Sequence, residues 1–216
     1  MQATAVTSID ADAILRWMQN CAETYNEHKD ELTQLDAAIG DADHGANMAR
    51  GFTAVQGKLA GLHGKDIGAI FKTVAMTLIS TVGGASGPLY GTFFLQAAAG
   101  TNGKTTLTQE ELVAAFGAGL QGLMNRGKAV VGEKTMVDAL VPALEALKPT
   151  GDDSISAALT RAIAAAQKGA DSTIPLVAKK GRASYLGERS AGHLDPGAAS
   201  SVLLLEALQH ALASSA

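Results

Sequence analysis

Apolar residues recur every three to four positions along nearly the whole chain, a period that suits helices and little else. Ile9, Ala13, Trp17, Cys21 and Tyr25 mark the first such stripe, with Ser8 placed to cap it. Matching periods run over about 44–60, 66–82, 87–99, 108–126, 135–147, 154–177 and 197–213, so roughly eight helices are expected. Between them lie segments such as GTNGKTT and KPTGDDS, whose Gly, Asn, Asp and Pro end helices. These are too short for the crossovers that parallel strands require, and they make neighbouring helices antiparallel. The expected fold is all-α: a bundle or closed ring of antiparallel helices forming a single domain over residues 1–216. The sequence shows no convincing alternating strand, no repeat and no dividing linker.

Composition narrows the function classes. A chain of 216 residues that is 47% hydrophobic can bury one sizeable core. Its net charge is only -4 and no basic run interleaves with aromatic residues, which argues against a nucleic-acid or anionic-membrane surface. Cys21 is the only cysteine, so an internal disulfide and a thiolate zinc cluster are excluded. The start of the chain has no charged segment followed by an apolar one, and no apolar run approaches the roughly 18 residues of a membrane span. A cytoplasmic protein is expected.

Two glycine patterns suggest nucleotide folds and fail on context. GAGLQG, Gly117–Gly122, has the dinucleotide-binding spacing but sits within a helical period with no strand leading into it. Small residues at that spacing more simply let two helices approach closely. AAGTNGKT lacks the first glycine of a phosphate-binding loop, because Ala98 occupies that position, and reads as an interhelical loop.

LDAAIGDADHGANM is harder to dismiss, since it places Asp36, Asp41 and Asp43 within eight positions, with Gly40 and Gly45 among them. Carboxylates forced together repel, and an all-oxygen cluster suits a hard cation such as magnesium. Magnesium retains waters and commonly takes substrate phosphates as further ligands, so the loop points to a phosphate-bearing partner. The alternative is structural: Asp41 or Asp43 caps the helix starting near His44, and Asp36 is solvated.

A second cluster, STVGGASGPLYGTFF, puts Gly83 to Gly87 ahead of Pro88 and a new helix. Small residues before a helix N-terminus can cradle a phosphate, or can simply make a sharp turn. Near the end, GRASYLGERSAGHLDPGAASSVLLLEAL supplies Arg182, Arg189, His193 and Asp195. Asp195 followed by Pro196 and Gly197 has the form of a helix cap. Arg182 could also pair a phosphate and Asp195 accept a ribose hydroxyl.

In their order and spacing, GDADHGANMARGF, GGASGPLYGTFF, GEKTMVDALVPA and GRASYLGERSAGHLDPGAAS closely resemble the nucleotide-binding L subunits of dihydroxyacetone kinases, across about residues 8–210. The resemblance implies an eight-helix antiparallel barrel with nucleotide and metal bound at one end. It implies that Asp36, Asp41 and Asp43 hold two magnesium ions bridging the nucleotide phosphates. By the same resemblance His44, Gly45, Ala46 and Asn47 contact the nucleotide at a helix start. Ala85 and Ser86 belong to the phosphate loop. Gly127, Thr135 and Met136 surround the base and sugar, and Arg182 with Asp195, Pro196 and Gly197 closes over the nucleotide.

The family implies a phosphotransferase in which this chain is one half. Dihydroxyacetone is held covalently by a histidine of a separate K subunit, which this sequence lacks, so no catalytic nucleophile is expected here. In one type an L domain fused to K exchanges ATP. In the other a free L subunit keeps ADP tightly bound and is recharged by a phosphotransferase-system M subunit. His44 following Asp43 resembles the recharged type. The alternatives within the resemblance are an ATP-exchanging subunit acting on a related ketose or tetrose, and a nucleotide-sensing module that binds a transcription regulator.

Overall fold

The computed structural model describes residues 8–151 and 154–213. Residues 1–7 and 214–216, and Asp152 and Asp153 of the KPTGDDS segment, lie outside the described residues. Among those described there are nine α-helices: α1 (Ala11–Glu27), α2 (Lys29–Ile39), α3 (His44–Leu59), α4 (Ile67–Thr81), α5 (Ser86–Thr101), α6 (Gln109–Gly127), α7 (Met136–Leu147), α8 (Ile155–Asp171) and α9 (Pro196–Ala213).

Eight of them make the ring. α1 packs on α3, each helix from α3 to α8 packs on the next, α8 packs on α9, and α9 returns to α1. The ninth, α2, lies outside against α3 and α9. Its period is weak because Leu32 and Ile39 share their buried face with a carboxylate, Asp36, which is why spacing alone passes over it. Opposite directions are evident from which ends meet. The N–H of Ile67 at the start of α4 donates to Lys104 beyond the end of α5, and Gln109 at the start of α6 donates to Leu147 at the end of α7.

Three further details depart from the periodic reading. A two-stranded antiparallel sheet, β1 (Ser8–Asp10) with β2 (Thr106–Thr108), ties the chain start to the α5–α6 connection; three residues are too few to show alternation. Ser8 pairs with Thr108 in that sheet, and the cap of α1 is Asp10, whose Oδ1 accepts the Ala13 N–H at 2.7 Å. α8 ends at Asp171 rather than near residue 177, four residues ahead of Pro175, which cannot continue a helix.

The first and last ring helices close the barrel through side chain to backbone bonds. Trp17 Nε1 donates to the Leu204 carbonyl at 2.9 Å, Asn20 to Ala207 at 3.2 Å and Tyr25 to Ser200 at 2.7 Å. Inside, Trp17 has no solvent exposure and meets the rings of Phe71, Phe94 and Phe116 at centroid distances of 6.1, 5.6 and 5.6 Å. The GAGLQG segment lies within α6, and its Gly119 and Gly122 press that helix onto α5: a Cβ on Gly119 would lie 2.8 Å from the Phe93 carbonyl oxygen. No described helix is long and apolar enough to cross a membrane.

Trp17→Ala removes the ring that touches four elements and a bond closing the barrel, so it is expected to cost about 3–5 kcal/mol. The check is the urea midpoint; a loss below about 1 kcal/mol would show that the cluster is not central to stability.

Candidate functional site

At one end of the ring, the starts of α3, α5, α7 and α9 converge with the ends of α2, α4 and α6 around a cavity of about 360 Å³. Its lining includes Asp36, Asp41, Asp43 and His44, Gly83 to Ser86, and Gly127, Thr135, Met136, Arg182 and Asp195 to Gly197. Segments separated by up to about 160 positions in the sequence therefore share one cavity.

The carboxylates arise from three local constraints. Asp36 is buried in the last turn of α2, where its Oδ2 accepts the N–H groups of Asp43 at 2.9 Å and His44 at 3.2 Å. That places the cap of α3 on a side chain from the preceding helix. Gly40 makes room for it, since a Cβ there would fall 2.0 Å from Asp36 Oδ1. Ala42, between the other two aspartates, holds a left-handed φ of 61°, a strained conformation for alanine. Asp43 stands at the N-cap position of α3, yet its side chain makes no capping bond. Asp41 pairs with Arg182, whose Nε lies 2.9 Å from Oδ2. One oxygen from each aspartate lies within 4.8 Å of the others, a grouping able to hold a metal ion.

Capping decides where an anion can sit. α3 is capped by Asp36; α7 by Thr135 and Asp138 in a capping box; α9 by Asp195, whose Oδ2 accepts the Ala198 N–H at 2.7 Å. α5 differs, because Ala85 occupies its N-cap and provides no side-chain acceptor. Its first-turn N–H groups therefore remain available beside Gly83 and Gly84 at the cavity wall. Gly84 has φ 63°, and Asn47 packs behind Gly83, where a Cβ would meet its Oδ1 at 3.0 Å.

His44 is buried at the start of α3 with hydroxyls at both ring nitrogens: Ser86 Oγ at 3.1 Å from Nδ1 and Ser200 Oγ at 2.9 Å from Nε2. Burial lowers its pKa, against the pull of Asp36 and Asp43, favouring the neutral ring. The bonds continue inward, since Tyr90 Oη lies 2.8 Å from Ser200 Oγ and 3.1 Å from Ser201 Oγ. Asp195 is desolvated strongly enough that its pKa is pushed up to about 7, despite its helix-capping bond and the nearby Lys134.

Of the residues expected at the site, Gly45, Ala46 and Asn47 do not line the cavity. Gly45 instead seats α3 on α2, since a Cβ there would lie 1.9 Å from the Lys29 carbonyl oxygen. Sequence reasoning missed Lys134, which has φ 62° and is almost fully buried beside the cavity. Its Nζ donates to the carbonyls of Thr173, at 2.6 Å, and of His193, tying the segments on either side of residues 174–192 together. Burial lowers its pKa. A lysine in a GEKT turn carries no periodic signal that would reveal this burial. Arg126 and Lys180 also line the cavity, and Lys180 pairs with Glu133 at 3.5 Å.

A sequence model of the DAK2 domain matches residues 38–210. The chain belongs to the DAK2 domain family. Relatives within it include the "PEP-dependent dihydroxyacetone kinase, ADP-binding subunit DhaL" of Escherichia coli, 48% identical over 93% of this chain and 97% of that protein. The "PTS-dependent dihydroxyacetone kinase, ADP-binding subunit DhaL" of Lactococcus lactis is 46% identical over 94% of this chain and 98% of its own length. Dihydroxyacetone kinase from C. freundii, solved in complex with AMP-PNP and Mg2+, superposes with a TM-score of 0.70 at 27% identity. That match covers 97% of this DAK2 chain and 36% of the C. freundii chain. The relatives are phosphotransferases of the kinase class, and the all-α ring agrees with their fold.

The raised Asp195 pKa has a signed consequence. Between the ordinary carboxylate value near 3.8 and about 7, the folded protein keeps a proton that the unfolded chain has lost. Stability from this group is therefore full below that window and falls as pH rises through 7, by at most about 1.4 kcal/mol per pH unit. Asp195→Asn keeps a capping oxygen and removes the titration, so in ligand-free protein its melting temperature relative to the parent is expected to rise from pH 5 to pH 8. A pH-independent difference would place Asp195 in the ordinary carboxylate range.

Proposed function

We propose that this chain is the ADP-binding subunit of a dihydroxyacetone kinase, which relays a phosphoryl group from a phosphotransferase-system M subunit to dihydroxyacetone held on a separate K subunit. Tightly bound ADP and two Mg2+ ions are its cofactors. The observation that carries this reading is the juxtaposition of an uncapped helix start, α5 behind Gly83 and Gly84, with the Asp36–Asp41–Asp43 cluster across one cavity of a DAK2-family chain. An anion site and a hard-cation site sharing one space fit a magnesium-bound phosphate better than either ligand alone.

The residues present fit the metal. Three carboxylates offer only oxygen, the donor set magnesium requires, and Asp41 already pairs with a cationic group, the Arg182 guanidinium. When bound, magnesium would neutralise phosphate charge that builds up during phosphoryl transfer. The chain's own residues do the rest. Asp36 is oriented by two backbone N–H groups; the first N–H groups of α5 would receive a phosphate; and Met136 and Leu89, with Gly127, offer an apolar wall for a base. His44, bonded to Ser86 and Ser200, sets the position of the Ser86 hydroxyl beside the phosphate loop. Lys134 fixes the strap that brings Arg182 to the cavity mouth. No side chain of this subunit needs to act as nucleophile, because transfer of this kind rests on positioning and charge neutralisation.

The identity pattern supports the PEP- or PTS-dependent type, with 48%, 47% and 46% to three such subunits against 33% to an L-erythrulose 1-kinase of Mycolicibacterium smegmatis. Protein purified without added nucleotide, then denatured, is expected to release near-stoichiometric ADP and about two magnesium ions, the number the family resemblance implies. An empty protein that binds ATP reversibly would instead indicate an exchanging subunit. Replacing Asp36, Asp41 or Asp43 by Ala is expected to lower phosphoryl transfer, in an assay containing K and M subunits, by at least about 100-fold with helical content kept. Near-parental transfer in all three would remove the metal assignment.

A further inference from the structure

Arg182 sits on one of the carboxylates that the metal would need. Its Nε is 2.9 Å from Asp41 Oδ2, while Asp43 makes no capping bond and Asp36 is fully committed to backbone N–H groups on one oxygen. Two other basic side chains at the cavity are engaged elsewhere, Lys134 on the Thr173 and His193 carbonyls and Lys180 on Glu133. Arg182 begins a short 3-10 segment, Arg182–Ser190, that follows Gly181 at φ 60° and bends at Gly187 with φ 55°. Both glycines adopt conformations that other residues rarely take, so the strap is shaped to bring this guanidinium over the acidic cluster.

We propose that Arg182 is a positioning residue acting through Asp41: an internal counter-ion that holds the cation's place in metal-free protein and is exchanged for the metal when metal and nucleotide arrive together. This rests on the functional reading above, because it takes the aspartate cluster to be the metal site. The physical ground is that a guanidinium and a divalent ion on one carboxylate repel each other, so occupancy by one disfavours the other. The pair is also suited to exchange. Arg182 is 67% exposed and Asp41 34%, so solvent screens their attraction and a divalent ion can displace the arginine. Once released, the guanidinium remains at the cavity mouth with its fork of donors free for phosphate oxygens. One residue thereby weakens binding of bare metal and strengthens binding of the metal–nucleotide complex.

Opposite signs for those two effects distinguish this role from a structural one. Mn2+ serves as a magnetic-resonance-visible probe in place of Mg2+, and its affinity is measured on nucleotide-depleted parent protein, Arg182→Gln and Arg182→Lys. ADP affinity is then measured on the same three proteins with saturating Mg2+. Arg182→Gln is expected to bind Mn2+ alone about tenfold more tightly and ADP about tenfold more weakly, while Arg182→Lys, which keeps the charge, stays near the parent for Mn2+. Melting temperatures establish that all three are folded, as expected for an exposed side chain. Mn2+ affinity unchanged or reduced in Arg182→Gln overturns the proposal even where ADP binding stands. Tighter Mn2+ binding in Arg182→Gln, in a protein set that never binds ADP, supports the counter-ion role and removes the functional reading instead.

Discussion

Closure of α9 onto α1 is the contact on which the site depends. The Trp17, Asn20 and Tyr25 side chains reach backbone carbonyls of α9 that are nearly two hundred positions away, and the last of these bonds lies next to Ser200, which touches His44. Without that closure the aspartates near residue 40 and the Asp195 turn would have no common space. Carbonyls of α9 that accept these donors are already used within the helix, so the bonds add specificity of register rather than rescuing unpaired groups. Register matters because a one-turn slip of α9 would carry Ser200 away from the His44 ring.

The interior path from site to core follows from the same packing. His44, Ser200, Tyr90 and Ser201 form a chain of hydrogen bonds inside an otherwise apolar ring. Burial pushes the Tyr90 pKa up to about 12 and the Tyr25 pKa upward as well, which keeps both phenols neutral donors. A neutral, fully bonded network can sit in a low-dielectric core without the desolvation penalty of a charge, and it fixes the imidazole from behind while the front face remains toward the cavity. Stiffness at His44 is thus inherited from the core rather than from the loop that carries the aspartates.

Much of this was legible in the sequence where a residue's role is local. The helices with clean apolar stripes, the capping form of Asp195–Pro196–Gly197, and the clustering of Asp36, Asp41 and Asp43 all depend on neighbours within a turn or two. α2 was not legible, because its buried face includes a carboxylate whose partners, the N–H groups of Asp43 and His44, lie past its own end. The β1–β2 pair joins segments about one hundred residues apart and leaves no pattern in either. Lys134 reads as a solvated loop lysine until Thr173 and His193 are brought around it. Asn47 was placed at the site by resemblance, whereas in the ring it supports Gly83 from behind.

The ring topology itself explains why such a site forms at this end. In an up-and-down ring of eight helices, alternate members, here α3, α5, α7 and α9, direct their N-termini to the same end and gather four positive dipole ends there. Left alone, that end would present many unpaired N–H groups. Asp36, Asp138 and Asp195 satisfy three of the helices with the chain's own carboxylates, and only α5 is left without one. The difference between an internally capped end and a ligand-binding end is therefore a single missing acceptor, where Ala85 stands in place of an aspartate or serine. A carboxylate at that position would compete for the donors that an outside phosphate would need, whereas the Ala85 methyl offers no acceptor and leaves them open.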